Sequence, residues 1–443
     1  MRRYLLSALC ALLCCFAAGA QEPALAHGVP PTDLPSVLDI SSGVTSHVQG
    51  IAVNRAKGEM YFSFTTRFIR TDMKGNVLGT IDRIQGHLGA MTFNPADGCV
   101  YASLECKDDE IGAGVAKKLG VPMWETSYFY VAIIDVARVD QIGMDPENDP
   151  VLRTVCIREV MDDYAAVVSA KGVVTSPAEG AEATPATLKH RFGCAGIDGV
   201  TLGPAPGTAV AGVSPLPLTF VSSDASSSSY AASFDHLYVA CGLYGDTTRS
   251  DNDHQIILCY PLDEFKKYAQ TVSFGTMHTS GPAKPWRKFF VRTGNTTYGV
   301  QNMAYDPFTG YLLMAVYRGK KKAFPNYSLY AVDLAAQPFK ARLEGIPYRK
   351  CKVWQLPLAE DGLEHEASGI RGWNFQWGTT GLFPVGGGYY VFSENYRGME
   401  TGIECCRTHL MQWTGQPAHP FVPVPPVPVQ KFLPPQKSMS APL

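Results

Sequence analysis

The stretch HLGAMTFNPADGCVYASLE, His87 to Glu105, has a near-copy upstream, HVQGIAVNRAKGEMYFSFT, His47 to Thr65. Both run apolar residues into a turn containing Gly, then into an alternating, aromatic-rich segment. Alternation with period two is the signature of a half-buried strand, so each copy reads as two strands joined by a short turn. Three more copies follow. Their anchors before the turn are Leu202, Tyr305 and Phe383, matching Val53 and Phe93 in the first two. The turns read NRAKGEMY, NPADGCVY, GPAPG…DHLY, DPFTGYLL and PVGGGYYV, and a small residue recurs after each: Ser63, Ser103, Ala240, Ala315 and Ser393.

Further strand candidates trail each pair: RFIRTDM and NVLGTID, YFYVAIIDV and VLRTVCI, QIILCYPL and KFFVRTG, SLYAVDL and CKVWQLP, and THLMQW. Four antiparallel strands repeated around a ring make a β-propeller. The expected fold is therefore all-β with five blades, or six if the stretch between the second and third copies hides one. The last blade lacks an outer strand, and Ser36–Ile40 is placed to supply it and close the ring. The propeller is expected over 36–415, with loop insertions at about 165–190 and 205–233. DDYAAVV reads as a short helical turn. Residues 416–443 carry nine prolines and read as an extended, disordered tail.

As a repeat pattern this resembles the five-bladed β-propeller superfamily. That superfamily includes arabinanase-like glycosidases, fructan-cleaving enzymes, calcium-dependent nucleotidases and sugar-binding lectins. No subfamily signature is matched, and propellers host unrelated functions.

Bulk properties narrow the setting. The chain has 443 residues, 46% hydrophobic and 18% charged, with net charge −2. That is globular and carries no nucleic-acid footprint. The only short basic run, Lys320-Lys321-Lys322, reads as a solvated loop. Arg2 and Arg3, the apolar run Leu5 to Ala18 and the Ala18-Gly19-Ala20 site read as a signal peptide over 1–20, followed by a linker to residue 35. The expected location is secreted or periplasmic, with no membrane anchor. Nine cysteines follow the leader; Cys99, Cys241 and Cys259 fall inside strands and read as small apolar residues. The vicinal pair Cys405-Cys406 reads as a loop with one member paired elsewhere.

A propeller brings the starts of the inner strands and the ends of the second strands to one rim around the central channel. Six positions before the anchor stand His47, His87, Gly196, Gly299 and Trp377; four before it stand Gln49, Gly89, Asp198, Gln301 and Thr379. Second strands end near Thr65, Glu105, Gly242, Tyr317 and Asn395, beside Arg67, Lys107, Tyr244, Arg318, Glu394 and Tyr396. Convergent polar groups with aromatic walls are the default binding-site expectation. The plainer readings are that the histidines bond blade edges, that Glu105 and Glu394 pair with Lys107 or Arg397, and that Trp377 plugs the core.

A secreted carbohydrate-active enzyme is the leading reading, with an oligo- or polysaccharide as partner. A glycoside hydrolase needs two carboxylates, and Asp198, Glu105 and Glu394 are the set offered. A polysaccharide lyase would use His47 or His87 as base and Tyr317 or Tyr298 as acid, with Arg318 or Arg67 neutralising a uronate. Gln49, Gln301, Tyr244 and Trp377 would bind substrate. A non-catalytic sugar- or protein-binding propeller is the alternative. A calcium-dependent phosphohydrolase is the third reading, with Ca2+ on Asp246, Asp251 and Asp253 in the loop GLYGDTTRSDNDHQ, whose spacing is not that of an EF-hand.

Overall fold

The repeated turn is built by side-chain chemistry that the sequence spells out. Asn54, Asn94 and Asp306 close the inner strands of three blades. Each accepts backbone N–H bonds from the turn that follows: Lys57 at 3.3 Å, Ala96 at 3.0 Å, and Phe308 and Thr309 at 3.1 and 3.0 Å. Four residues on, Gly58, Gly98 and Gly310 adopt φ of 65°, 68° and 76°, a left-handed conformation that costs a residue without Cβ little.

The structure is a computed structural model describing residues 27–169, 174–175, 187–212, 234–346 and 352–426. It is a five-bladed β-propeller. Blade 1 is Gly50–Asn54, Glu59–Ser63, Phe68–Asp72 and Val77–Ile81, paired antiparallel in order. Blade 2 is His87–Asn94, Cys99–Cys106, Tyr128–Asp135 and Leu152–Cys156, with Gln270–Thr271 added at its edge. Blade 3 is Cys194–Gly203, His236–Leu243, His254–Pro261 and Arg287–Arg292. Blade 4 is Thr297–Asp306, Tyr311–Tyr317 and Leu329–Asp333, and blade 5 is Leu382–Gly386, Tyr389–Arg397 and Glu404–Trp413. Val37–Ser41 pairs antiparallel with Glu404–Trp413, from Val37 opposite His409 to Ser41 opposite Cys405, and closes the ring.

Five apolar cores hold it, one in each cleft between neighbouring blades. Strand alternation assigns each side chain to its cleft. Tyr61 points into the core shared with blade 2, while Met60 and Phe62 point into the core shared with blade 5. Ile40 of the closing strand packs in that same core with Val48, Ile51 and Cys406.

Several expectations are corrected. Val353–Gln355, expected as the outer strand of blade 4, instead pairs parallel with Arg287–Arg292 of blade 3, and Phe339–Ala341 extends that edge. Blade 4 has isolated bridges there, from Val332 to Leu358 and from Leu329 to Trp373. Within the insertion at 165–190, Val167–Ser169, Val174–Thr175 and Thr187–Lys189 form a small sheet rather than an irregular loop. Phe421–Pro423, inside the tail expected to be disordered, is a strand on blade 5. A helix, Glu110–Leu119, follows the second strand of blade 2. Asp109 caps it by accepting from the N–H groups of Ile111 and Gly112, and Gly120 ends it at φ 68°. The expected helical turn belongs to the helix Arg158–Ala165. Cys405 and Cys406 lie on a strand, and all eight cysteines among the described residues are free thiols. Residues 1–26, which include the expected signal peptide, most of the second insertion and residues 427–443 lie outside the described residues. No helix among the described residues is long and apolar enough to cross a membrane.

The closing strand yields a test. Ile40→Ala removes a side chain that is 2% exposed. Urea unfolding should show about 2–5 kcal/mol of lost stability, the range for emptying a buried Ile site.

Candidate functional site

Inner strands of three blades carry an irregularity at the same repeat position. The ladder shifts register between Leu88 and Met91, between Ile197 and Val200, and between Val300 and Asn302. Those shifts flank Gly89, Asp198 and Gln301. A bulge breaks the strict alternation of a strand and re-aims side chains, here toward the channel. Gln301 Nε2 donates to Asp198 Oδ2 at 3.0 Å. Asn302, the next residue, also turns inward, and its Nδ2 donates to Gln49 O and Thr379 O at 2.9 Å each. One side chain of blade 4 thereby ties blade 1 to blade 5.

Glu105, at the end of the second strand of blade 2, reaches over the start of blade 3. Its Oε1 accepts from the backbone N–H of Ile197 at 2.7 Å. Gly196, at φ 128°, makes the room: a Cβ there would lie 1.9 Å from that oxygen. His87 Nδ1 stands 4.0 Å from Glu105 Oε2. One ligand atom from each of His87, Glu105 and Asp198 lies within 4.8 Å of the others, a spacing that permits a metal ion.

The electrostatics follow from burial. Glu105 is 5% exposed, and desolvation pushes its carboxyl up to about 7, against the pull of the Lys107 ammonium and the Ile197 N–H. Asp198 is raised well above the usual carboxylate range, first by desolvation and then by Glu105 itself, while Lys107 and the Gln301 bond lower it. Two carboxyls this close titrate as a pair. His87 is pushed down to about 4 by burial, with Lys107 and His47 adding to the effect, so its imidazole is neutral at physiological pH. Lys107 does not bond Glu105; its Nζ sits 2.7 Å from Asp109 Oδ2.

Other residues expected at the rim fall into two groups. His47 and Gln49 bond each other, Nε2 to Nε2, at 2.8 Å on blade 1. Tyr298 and Tyr317 meet edge to face on blade 4, with centroids 6.4 Å apart, and Tyr298 O accepts from Gln301 at 3.4 Å. Tyr244 and Tyr298 line a neighbouring cleft of about 500 Å³ with His190, Arg249 and Thr297.

The second group is committed elsewhere. Arg67 bonds Asp82 with two parallel contacts of 2.6 Å and gives a third bond to Ser42 O. Arg318 Nε donates to Asn326 O at 2.8 Å. Glu394 pairs with His409 at 2.9 Å, not with Arg397, which holds Glu404. Trp377 stacks on that same His409 with centroids 4.1 Å apart, so one indole face is taken. Glu394 misses the channel because it lies one residue before Asn395, on the opposite face of the strand.

The carboxylates of the acidic loop expected to bind calcium have protein partners, from the loop itself and from Lys321. Asp251 receives two bonds of 2.8 Å from Arg249, Asp246 accepts from Thr248, and Lys321 bonds Asp253 and Asn252. Lys321 is thus an internal counter-ion rather than a solvated loop residue. Asn302 and His190 join the site without a signal in the repeat columns. Asn302 directly follows Gln301, yet alternation places it on the far face, and only the bulge brings it inward.

No family model and no curated protein matches the chain. Among solved structures it is similar to the native arabinanase of Bacillus subtilis, at 9% identity, 85% of this chain, 98% of that chain and a TM-score of 0.33. A β-propeller domain from Myceliophteria thermophila gives 9%, 81%, 82% and 0.28 in the same order, and the hydrazine synthase of Kuenenia stuttgartiensis gives 10%, 69%, 64% and 0.27. None of these likenesses bears on the chemistry at the channel mouth.

The raised carboxyl makes a signed prediction. Glu105 binds its proton more tightly folded than unfolded, so its contribution to stability is lost as pH rises from about 4.5 through about 7. Glu105→Gln keeps an acceptor for Ile197 and does not titrate. Its melting temperature relative to the parent should therefore climb across that window, while His87→Gln should show the opposite trend below about 6.5, gaining on the parent as pH falls. Scanning calorimetry across that pH range checks both.

Proposed function

We propose that this chain is a glycoside hydrolase that cleaves a neutral glycan at the mouth of the propeller channel. The observation that carries this reading is the Glu105–Asp198 pair. Adjacent blades supply two carboxyls whose oxygens lie within 4.8 Å, desolvated so that the pair holds a proton near neutrality. Glycosidic cleavage needs one protonated carboxyl to donate to the leaving oxygen and one ionised carboxylate to meet the oxocarbenium-like carbon. Burial raises both carboxyls, so the pair shares a proton; Glu105, raised to about 7, is assigned the donor, and Asp198, which accepts from Gln301, the ionised partner of that shared-proton pair. Their closeness fits the separation of roughly 5–5.5 Å used by retaining enzymes rather than the roughly 6.5–9.5 Å of inverting ones.

A neutral substrate follows from where the cations are. Arg67 is spent on Asp82, Lys107 on Asp109 and Lys321 on Asp253, and Arg318 Nε bonds a backbone carbonyl. Of the two arginines that a uronate lyase would need, Arg67 is neutralised by Asp82 and Arg318 is tethered through Nε to Asn326 O. Tyr298 and Tyr317, 52% and 36% exposed, offer ring faces to a sugar.

A second reading has its own support. His87 Nδ1 is buried without a hydrogen-bond partner and is aimed at the two carboxylates, so a divalent cation held by His87, Glu105 and Asp198 would satisfy all three. Activity that a chelator abolishes and calcium restores would favour that reading.

The purified protein should release reducing ends from neutral polysaccharides with no unsaturated uronate absorbance and with retained anomeric configuration by NMR. Glu105→Gln should lower kcat about 10²–10⁴-fold, as loss of a proton donor does. Unsaturated products would replace the hydrolase with a lyase.

A further inference from the structure

Blade 3 is wider than a propeller needs. Its four strands are complete at Arg287–Arg292, yet the chain leaves blade 4 and returns to lay Val353–Gln355 parallel to that edge, then pairs Phe339–Ala341 outside it. Ring closure requires neither strand. Their effect is a groove of about 440 Å³ on the outer edge of the blade, lined by none of His87, Glu105 and Asp198.

Six basic residues line this groove, Arg191, Lys284, Arg287, Lys288, Lys340 and Lys352, against one carboxylate, Glu159. Three are neutralised from the helix Arg158–Ala165: Lys284 by Glu159 and Asp162, Lys288 by Glu159 and Asp163, and Arg191 by Asp163. Arg287, Lys340 and Lys352 have no acidic partner among the described residues. Two of them are held in place by tryptophan faces. The Arg287 guanidinium lies 4.8 Å from the Trp286 ring and 5.3 Å from Trp354, and Lys340 Nζ lies 4.7 Å from Trp354 on the directly opposite strand. Cation–π contacts fix such side chains without cancelling their charge.

We propose that this groove binds an anionic polysaccharide, a chain bearing carboxylate or sulfate groups, at a site separate from the channel mouth. Charge complementarity selects the anion. The unpaired cations are spread over three neighbouring strand segments instead of converging on a point, which suits a chain more than a lone phosphate. Trp286, 42% exposed, adds an apolar edge for sugar rings. The chain's net charge of −2 gives no overall basic excess of the kind a nucleic-acid binder carries.

The test is affinity electrophoresis of the full chain through gels containing polygalacturonate or chondroitin sulfate, with uncharged dextran as control. Retardation is expected in the first two and not in dextran. Lys340→Ala/Lys352→Ala should weaken binding at least tenfold and should reduce the dependence of log affinity on log salt by about one to two units, one for each released counter-ion. Both side chains are exposed, and an unchanged melting temperature will show that the variant folds. Arg287→Ala provides a second variant, and Glu105→Gln should bind like the parent, so the result does not depend on hydrolysis. Passage of the parent chain without retardation, undiminished binding by both variants, or tighter binding of single-stranded DNA through the same residues would overturn the proposal.

Discussion

The ring depends on one antiparallel pairing. Val37–Ser41 comes from the start of the described chain and Glu404–Trp413 from near its end, and five residue pairs join them. Without that strand, blade 5 would expose an unpaired edge, and the core between blades 5 and 1 would lose Ile40. Each of the five cores lies between two blades, and the one between blades 5 and 1 forms only when the ring closes. The inner strands converge only under that constraint.

Convergence explains the chemistry at the mouth. Glu105 and Asp198 are far apart in the chain, and neither would be unusual on an isolated hairpin. Adjacent blades bring them together, dehydrate both and leave two backbone and amide donors to hold them. Burial raises both carboxyls and lowers His87, so the site keeps a proton on an acid rather than on a base. The cations that could have reversed this are fixed by other carboxylates or by backbone carbonyls.

The glycine columns show how tightly the backbone serves this end. Gly196 admits the Glu105 carboxylate against the strand, and Gly89, whose Cβ would strike Ser103 Oγ at 2.4 Å, lies beside Asp198. Non-glycine residues at positive φ also gather here. Thr65, His190 and Tyr298 lie at or beside the mouth, where strain of this kind is held by the surrounding structure.

Blade number, the order of the inner strands and the closing strand were legible in the sequence because they rest on local physics: a two-residue period and a glycine-containing turn, which Asn54, Asn94 and Asp306 brace in three of the blades. The same columns named Glu105, Asp198, His87 and Gln301 as neighbours, since pseudo-symmetry converts equal spacing into shared position. Glu394 shows the limit. It stood one residue from the channel column, and a strand sends successive side chains to opposite faces. Arg67 and the acidic loop show another, because a residue type does not reveal which partner has already claimed it. Only the tertiary structure decided that Asn302 bridges blades 1 and 5, that Lys321 neutralises the acidic loop, and that Val353–Gln355 widens blade 3. Bulges, ion pairing and edge addition all depend on which distant segment arrives alongside, and no local pattern encodes that.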